Sequence, residues 1–315
     1  MRIQCANKTV CVAVVVVAVV GTVAVLSGCS SPAPKPTGLH VVATTTQVTD
    51  FTTQIVGSAG TVTGIITANQ SAHSFDPSAK VLLEMSQADA LVINSLGIEP
   101  WLSSAIDASG FHGTVINATN GISVVDQDPH VWTSITNAQM MVKNIAIGLA
   151  KVDPAQANVF AENAAGYEAQ LDSLKTWATA DIDQIPASRR LLVTNHDALA
   201  YFVKEFGITF VGSIIPSFDD NAEPSAAEID QLVAKIKASG AKAVFSESTI
   251  SPKLAQTIAA EAGVAVYSGE DALYADTLGP DGSNGQTYID ATIHNVRVLV
   301  TAWGGTNLPL PKDLS

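Results

Sequence analysis

The sequence predicts an α/β protein of two lobes, each a mainly parallel β-sheet flanked by helices, joined by one long rigid α-helix. Three observations carry this reading. Short apolar runs alternate with helical stretches over residues 39–125 and again after residue 190, and such alternation makes parallel strands covered on both faces. Between the two blocks, residues 155–183 hold no proline and a single glycine, Gly166, in a run rich in Ala, Glu, Gln and Leu. The length of 315 residues suits two domains of roughly 100–200 residues each.

In the first lobe, residues 39–153, Leu39–Thr44 is an apolar strand and Gln47–Val56 the helix after it. Val62–Thr67 is a second strand, Ser78–Ala88 a helix, and Ala90–Asn94 a short buried strand. Val115–Asn117 closes the sheet, and Asn137–Leu149 is a helix. The linking helix occupies residues 154–186. Pro154 suits a first turn, where its missing N–H is no loss, and Pro186 stops the run. At 1.5 Å per residue such a helix spans roughly 40 Å, a spine rather than a hinge. The second lobe, residues 187–315, resumes with strand Arg190–Thr194, helix Ala198–Phe206 and strand Ile208–Ile214. Helix Glu228–Ser239 follows the cap Ser225, then strand Ala243–Phe245, helix Lys253–Ala262, strand Val264–Tyr267 and the closing helix Thr287–Trp303.

The first 28 residues are a different object. Arg2 and Lys8 precede an apolar run from Val10 to Leu26 and then Ser27-Gly28-Cys29, the make-up of a secretory signal peptide. The run is short for a spanning helix, which needs about 20 apolar residues. Leu26-Ser27-Gly28-Cys29 resembles the bacterial lipobox, in which the cysteine is lipidated after cleavage. Cys5 and Cys11 leave with the signal, so Cys29 has no disulfide partner, and lipidation gives it a use. Residues 29–38 are then the lipidated cysteine and a Pro/Ser linker, semi-extended, that holds the folded body off the membrane. The expected location is extracytoplasmic and membrane-anchored.

The whole sequence carries 16 Lys and Arg against 29 Asp and Glu, a net −13. Fourteen of those bases and all the acids remain after residue 28, leaving −15. This balance argues against nucleic acid, whose phosphates need clustered cations.

Six histidines occur, at 40, 73, 112, 130, 196 and 294. His73, His130 and His196 sit in loops or directly after strands, where ligands of open α/β sheets bind. Neutral imidazoles suit borderline ions such as zinc, and a carboxylate is the usual fourth donor. Asp276 follows the last strand, with Asp271, Glu270 and Glu247 competing. No HxxxH or CxxC pair is present, so spacing alone leaves each histidine open between ligand and loop residue. No Glu adjoins a histidine in the HExxH manner, so no general base for a metallohydrolase is evident. His40 opens the first strand and reads as an edge residue, His112 as a surface turn, His294 as packing or solvent-facing, and Trp101 and Trp132 as core anchors.

Several segments resemble, in order, those of the zinc/manganese ABC-transporter solute-binding lipoproteins, the ZnuA-like and TroA-like metal-binding cluster. They are VVATTTQVTDFTTQIVG, LVINSLGIEPWL, DPHVW, TNHDALAYF, EPSAAEIDQLVAKIKASGAKAVFSES, SPKLAQTIAAEAGV and LYADTLGPDGSNGQTYIDATIHN. The resemblance implies a non-enzymatic capture protein. It would bind one Zn²⁺, with Mn²⁺ as the alternative, as transported ligand between the lobes, and deliver it to a membrane permease driven by a cytoplasmic ATPase. By the same matching, His73, His130, His196 and Asp276 are the metal ligands, with Asp271 the alternative fourth through the inserted-looking GEDA. Glu247, read from its place at a strand end, either orients a ligand histidine or braces the lobe. Some manganese-preferring members carry Glu at the third position, so His196 favours zinc. SAHSFDPSAK departs from the commoner pattern after His73, and the His-rich loop of some zinc members is absent from residues 113–127. The resemblance also admits a surface adhesin with a structural metal site.

Overall fold

A computed structural model of the chain describes residues 38–315. The expected signal peptide (1–28), Cys29 and all of the 29–38 linker except Gly38 lie outside the described residues.

The first lobe is one four-stranded, all-parallel sheet. Strands β1 (Leu39–Ala43), β2 (Gly60–Gly64), β3 (Ala90–Ile93) and β4 (Thr114–Asn117) stand in the order β2-β1-β3-β4. β1 is buried at every position, as a central parallel strand covered on both faces must be. Helices α1 (Thr46–Val56), α2 (Ala79–Gln87), α3 (Leu102–Ser109) and α4 (Ile135–Val152) connect and cover it. Thr45, Ser78 and Ser134 cap α1, α2 and α4 by accepting a backbone N–H two or three residues into each helix, which satisfies a donor the first turn leaves orphaned.

Three features differ from the sequence reading. β2 begins at Gly60, two residues before the apolar run, because a Cβ at Gly60 would lie 2.4 Å from the Leu39 carbonyl oxygen. Only glycine permits that approach, and beyond the strand Ile65 and Ile66 still bond back to Ala43 and Thr44. α3 has no counterpart among the predicted elements. Its sequence is short and made largely of small residues, although the left-handed Gly110 that ends it is a usual helix stop. His40 is not at an edge: β1 lies between β2 and β3, and the buried His40 meets Asp89 through its backbone N–H and Thr63 through its ring.

The expected long helix is α5 (Ala157–Asp183), 27 residues and so about 40 Å long. Phe160, Ala164, Tyr167, Leu171, Leu174, Ala178 and Ile182 form its buried stripe, a spacing of three and four that keeps one face inward. That stripe packs on α1 and α4 of the first lobe and on α9 (Tyr288–Ala302) from the chain's last third. Each large side chain fully buried there contributes about 1.5–3 kcal/mol, which makes the helix a packed spine.

In the second lobe all pairing is again parallel, but in two pairs. β5 (Leu191–His196) pairs with β6 (Thr209–Ile215), and β7 (Ala243–Phe245) with β8 (Ala265–Tyr267). α6 (Ala200–Glu205), α7 (Ala226–Ser239) and α8 (Lys253–Ala262) surround them. Ser225 starts α7 with a reciprocal capping box to Glu228. β5 and β7 are neighbours, and just past β7 polar side chains take the place of ladder bonds. The His196 N–H donates to Glu247 Oε1 and the Glu247 N–H to Asn195 Oδ1, both at 2.9 Å. Among the described residues no helix is long and apolar enough to cross a membrane.

Candidate metal centre

Four side chains converge where the carboxyl ends of the two lobes' strands meet. Donor atoms of His73, His130, His196 and Asp276 all lie within 4.8 Å of one another. His73 Nε2 and His130 Nε2 are 3.3 Å apart. Asp276 Oδ1 is 3.3 Å from Nε2 of both His130 and His196, and Oδ2 is 3.7 Å from His73 Nε2. The side chains of His130, His196 and Asp276 are fully buried, and that of His73 is 9% exposed.

Each donor has a local reason to be there. His130 follows a turn in which Asp126 and Gln127 both take positive φ, an uncommon conformation for these residues. Val125 donates its N–H to the Tyr201 hydroxyl, which itself donates to the Asp128 carbonyl, so the turn is pinned to α6. Asp128 Oδ1 then accepts from the His130 backbone N–H at 2.9 Å and lies 2.7 Å from Nδ1. That contact turns Nε2 towards the cluster. His196 ends β5, and Glu247 Oε2 lies 2.6 Å from its Nδ1, out of line for a straight hydrogen bond. Asp276 is set by its own backbone: Gln47 Nε2 donates to the carbonyls of Ala275 and Asp276, and Trp132 Nε1 donates to Ala275. His73 sits in a loop whose Ala72 carbonyl accepts from Trp101 Nε1 at 2.9 Å.

The electrostatics are those of a buried anion among imidazoles. Burial pushes the Asp276 carboxyl upward, but His196 and His130 outweigh it and hold the group well below the usual carboxylate range. Burial likewise pushes His130 down, yet Asp128 and Asp276 lift it to about 9. His196 is raised well above its ordinary value against its own burial, by Glu247 and Asp276. Burial lowers His73, with Asp276 only partly offsetting it. Both Asp276 oxygens are buried without a hydrogen-bond donor. A native interior rarely leaves such atoms unsatisfied without a reason. Three inward imidazole nitrogens and a bare carboxylate make a donor set that fits a transition-metal cation.

The family model described as zinc-uptake complex component A, periplasmic, matches residues 41–302. The chain belongs to this family. It is a family of transporter solute-binding proteins, not of enzymes. The manganese-binding lipoprotein MntA of Halalkalibacterium halodurans is 29% identical over 269 residues, 84% of this chain and 88% of that protein. The high-affinity zinc uptake system protein ZnuA of Bacillus subtilis is 32% identical over 246 residues, 71% of this chain and 76% of that one. The periplasmic zinc-binding protein TroA from Treponema pallidum superposes with a TM-score of 0.77 at 24% identity, covering 84% of this chain and 99% of that structure. At that identity the likeness speaks for the fold.

Within this family member, the four side chains singled out from sequence stand together and Glu247 stands behind His196. Asp271 and Glu270 do not join them. They lie in a short turn that lines a separate cavity of about 530 Å³ beside α9. His294 is buried there with Nε2 3.0 Å from the Ala272 carbonyl, and His112 is exposed. Trp132 is a core anchor as expected, whereas Trp101 is only half-buried against Phe75. Asp128, within DPHVW, supports the site although the metal-ligand pattern does not include it. The signal was present, since an aspartate two residues before a histidine can accept that residue's backbone N–H and face its ring.

Proposed function

We propose that the protein captures one divalent transition-metal ion between its lobes through His73, His130, His196 and Asp276, and passes it to a membrane permease powered by a cytoplasmic ATPase. The observation that carries this is the buried Asp276 carboxylate with both oxygens unsatisfied beside three imidazole nitrogens. A cation placed there satisfies all of them at once. Asp128 and Glu247 fix the ring orientation of His130 and His196 and raise their basicity, the usual task of a carboxylate behind a metal-bound imidazole.

Zinc is the first choice of ion and manganese the second. Three nitrogens and one carboxylate match the four-coordinate preference of zinc, and zinc outranks manganese for a common donor set. The relatives' names point both ways, to manganese in MntA and zinc in ZnuA. If Asp276 engages through both oxygens, the shell becomes five-coordinate and more hospitable to manganese. The names of these relatives are those of metal binding and uptake and give the adhesin alternative no support. Anchoring through lipidated Cys29 belongs to the same proposal, and the relatives named as lipoproteins support it.

The test is elemental analysis of the exported chain after a chelator wash and exposure to zinc and manganese at equal free concentrations. The expected result is one zinc per chain. Retention of neither ion contradicts the capture reading, and clear manganese preference reverses the order of ions.

A further inference from the structure

His73 is held in a different way from its two fellow histidines. His130 and His196 each have a buried carboxylate against Nδ1, at 2.7 and 2.6 Å. The carboxylate within ion-pair distance of His73 is Asp276 itself, 3.7 Å away on the Nε2 side. What fixes His73 is a relay through its backbone. Its N–H donates to Ser71 Oγ at 3.2 Å, and the Ser71 hydroxyl donates to Asp220 Oδ1 at 2.9 Å. Ser71 belongs to the first lobe and Asp220 to the loop after β6 in the second, so this bond joins the two lobes.

The Asp220 loop is built to present that carboxylate firmly. Asp219 takes its N–H to Ser217 Oγ and accepts the Asn221 N–H on Oδ1, while Asn221 Nδ2 donates to Asp220 Oδ1 at 2.7 Å. The loop's near end is tied to the segment that carries His196, because the Asp197 N–H donates to the Ser217 carbonyl at 3.1 Å. The ring of Phe218, from the same loop, lies 6.4 Å from that of His130. One short loop thus touches the surroundings of all three histidines.

We infer that Asp220 is a positioning residue for ion exchange: through Ser71 it latches the His73 loop to the second lobe, and opening of that latch frees the first ligand of a bound ion. The inference rests on the proposed ligand set. A hydrogen bond to a charged acceptor is worth roughly ten- to a hundredfold in an equilibrium, so breaking the latch shortens the residence time of the ion by about tenfold or more. His130, His196 and Asp276 are held by Asp128, Glu247 and Gln47, outside the Ser71–Asp220 bond, so the one-ion stoichiometry survives its loss.

The experiment loads the full exported chain with one equivalent of zinc and follows transfer to an excess of chromophoric chelator by stopped flow. Ser71→Ala and Asp220→Ala are each expected to release zinc about tenfold faster at unchanged stoichiometry. The double variant is expected to be no faster than the faster single one. Asp220→Asn, which keeps an acceptor oxygen, recovers most of the lost residence time. Thermal unfolding of the metal-free variants, expected at the wild-type temperature, separates latch loss from misfolding. Wild-type release rates in both single variants, multiplying effects in the double, or Asp220→Asn as fast as Asp220→Ala would overturn the latch. Wild-type protein that takes up no zinc would instead overturn the ligand set on which it stands.

Discussion

The loops carrying Asp276 and His73 flank the same point from two sides and are held in opposite ways. The Asp276 segment is bolted to the first lobe although it comes late in the chain. Gln47 and Trp132 donate to its carbonyls, and Thr46 Oγ1 accepts the Leu278 N–H at 2.9 Å. Asn295 of α9 closes Tyr274 with a pair of hydrogen bonds at 2.9 and 2.7 Å. The His73 loop leans on Trp101, on a 3.4 Å contact from the Asn69 N–H to Thr277 Oγ1, and on the bond from Ser71 to Asp220. Buried, multiply bonded ligands fix what an ion meets; a lightly held ligand fixes how it arrives and leaves. A capture protein that must also deliver needs both kinds.

The comparison breaks first if the buried, multiply bonded ligands are not the anchor. His130→Ala should lower zinc affinity by more than about 100-fold, beyond the range of an outer partner, as read by competition with a chelator of known affinity; a loss under about tenfold would remove His130 from the ligands. Next come the carboxylates behind the rings. Asp128→Asn and Glu247→Gln should each weaken zinc binding by about 10–100-fold at unchanged stoichiometry.

Protons sharpen the same contrast. An ordinary imidazole, with a pKa near 6.5, would leave affinity flat above neutrality. Here His130 is lifted to about 9 and His196 is raised well above its ordinary value. Protons therefore compete with an arriving cation for both rings above the ordinary imidazole range. Zinc affinity should climb as pH rises from 6 towards 9, with net proton release visible in calorimetry across buffers of different ionisation enthalpy. The lowered His73 should contribute none of that release, so His73→Ala should leave it unchanged while weakening binding.

Smaller effects follow on stability and shape. Zinc at about 100 times its dissociation constant should stabilise the fold by about 2.7 kcal/mol. The accompanying gain in amide-exchange protection should be larger over residues 69–77 than over 273–278, because the second segment is already bonded in place. Because α5 packs on both α1 and α9, ion removal should leave the radius of gyration in solution scattering unresolved from that of the loaded protein. A wide opening would show that the spine bends.

Much of this was legible in the sequence because its signals are local. Apolar runs of four to seven residues mark buried parallel strands, and Pro154 with the proline-free run to residue 183 marks the spine. His130 and His196 could be placed beside a ligand only through the resemblance carried by DPHVW and TNHDALAYF, because their spacing alone marks no metal site. The bolts could not be read, since Gln47 and Asp276 stand 229 residues apart and nothing in either residue announces the other. The Ser71–Asp220 pair is hidden for the same reason, across 149 residues. Gly60 and His40 misled because pattern reasoning weighs what a residue prefers, whereas the approach of Leu39 and the order of the sheet decided their places.

X-ray absorption at the zinc edge, on the exported chain carrying one equivalent of zinc, tests the ligand set most directly. Imidazole multiple scattering from three rings, with nitrogen and oxygen donors at about 2.0–2.2 Å, is the expected spectrum, reduced to two rings in His130→Ala. A shell of water and carboxylate oxygens with no imidazole signature, unchanged by that substitution, would contradict it.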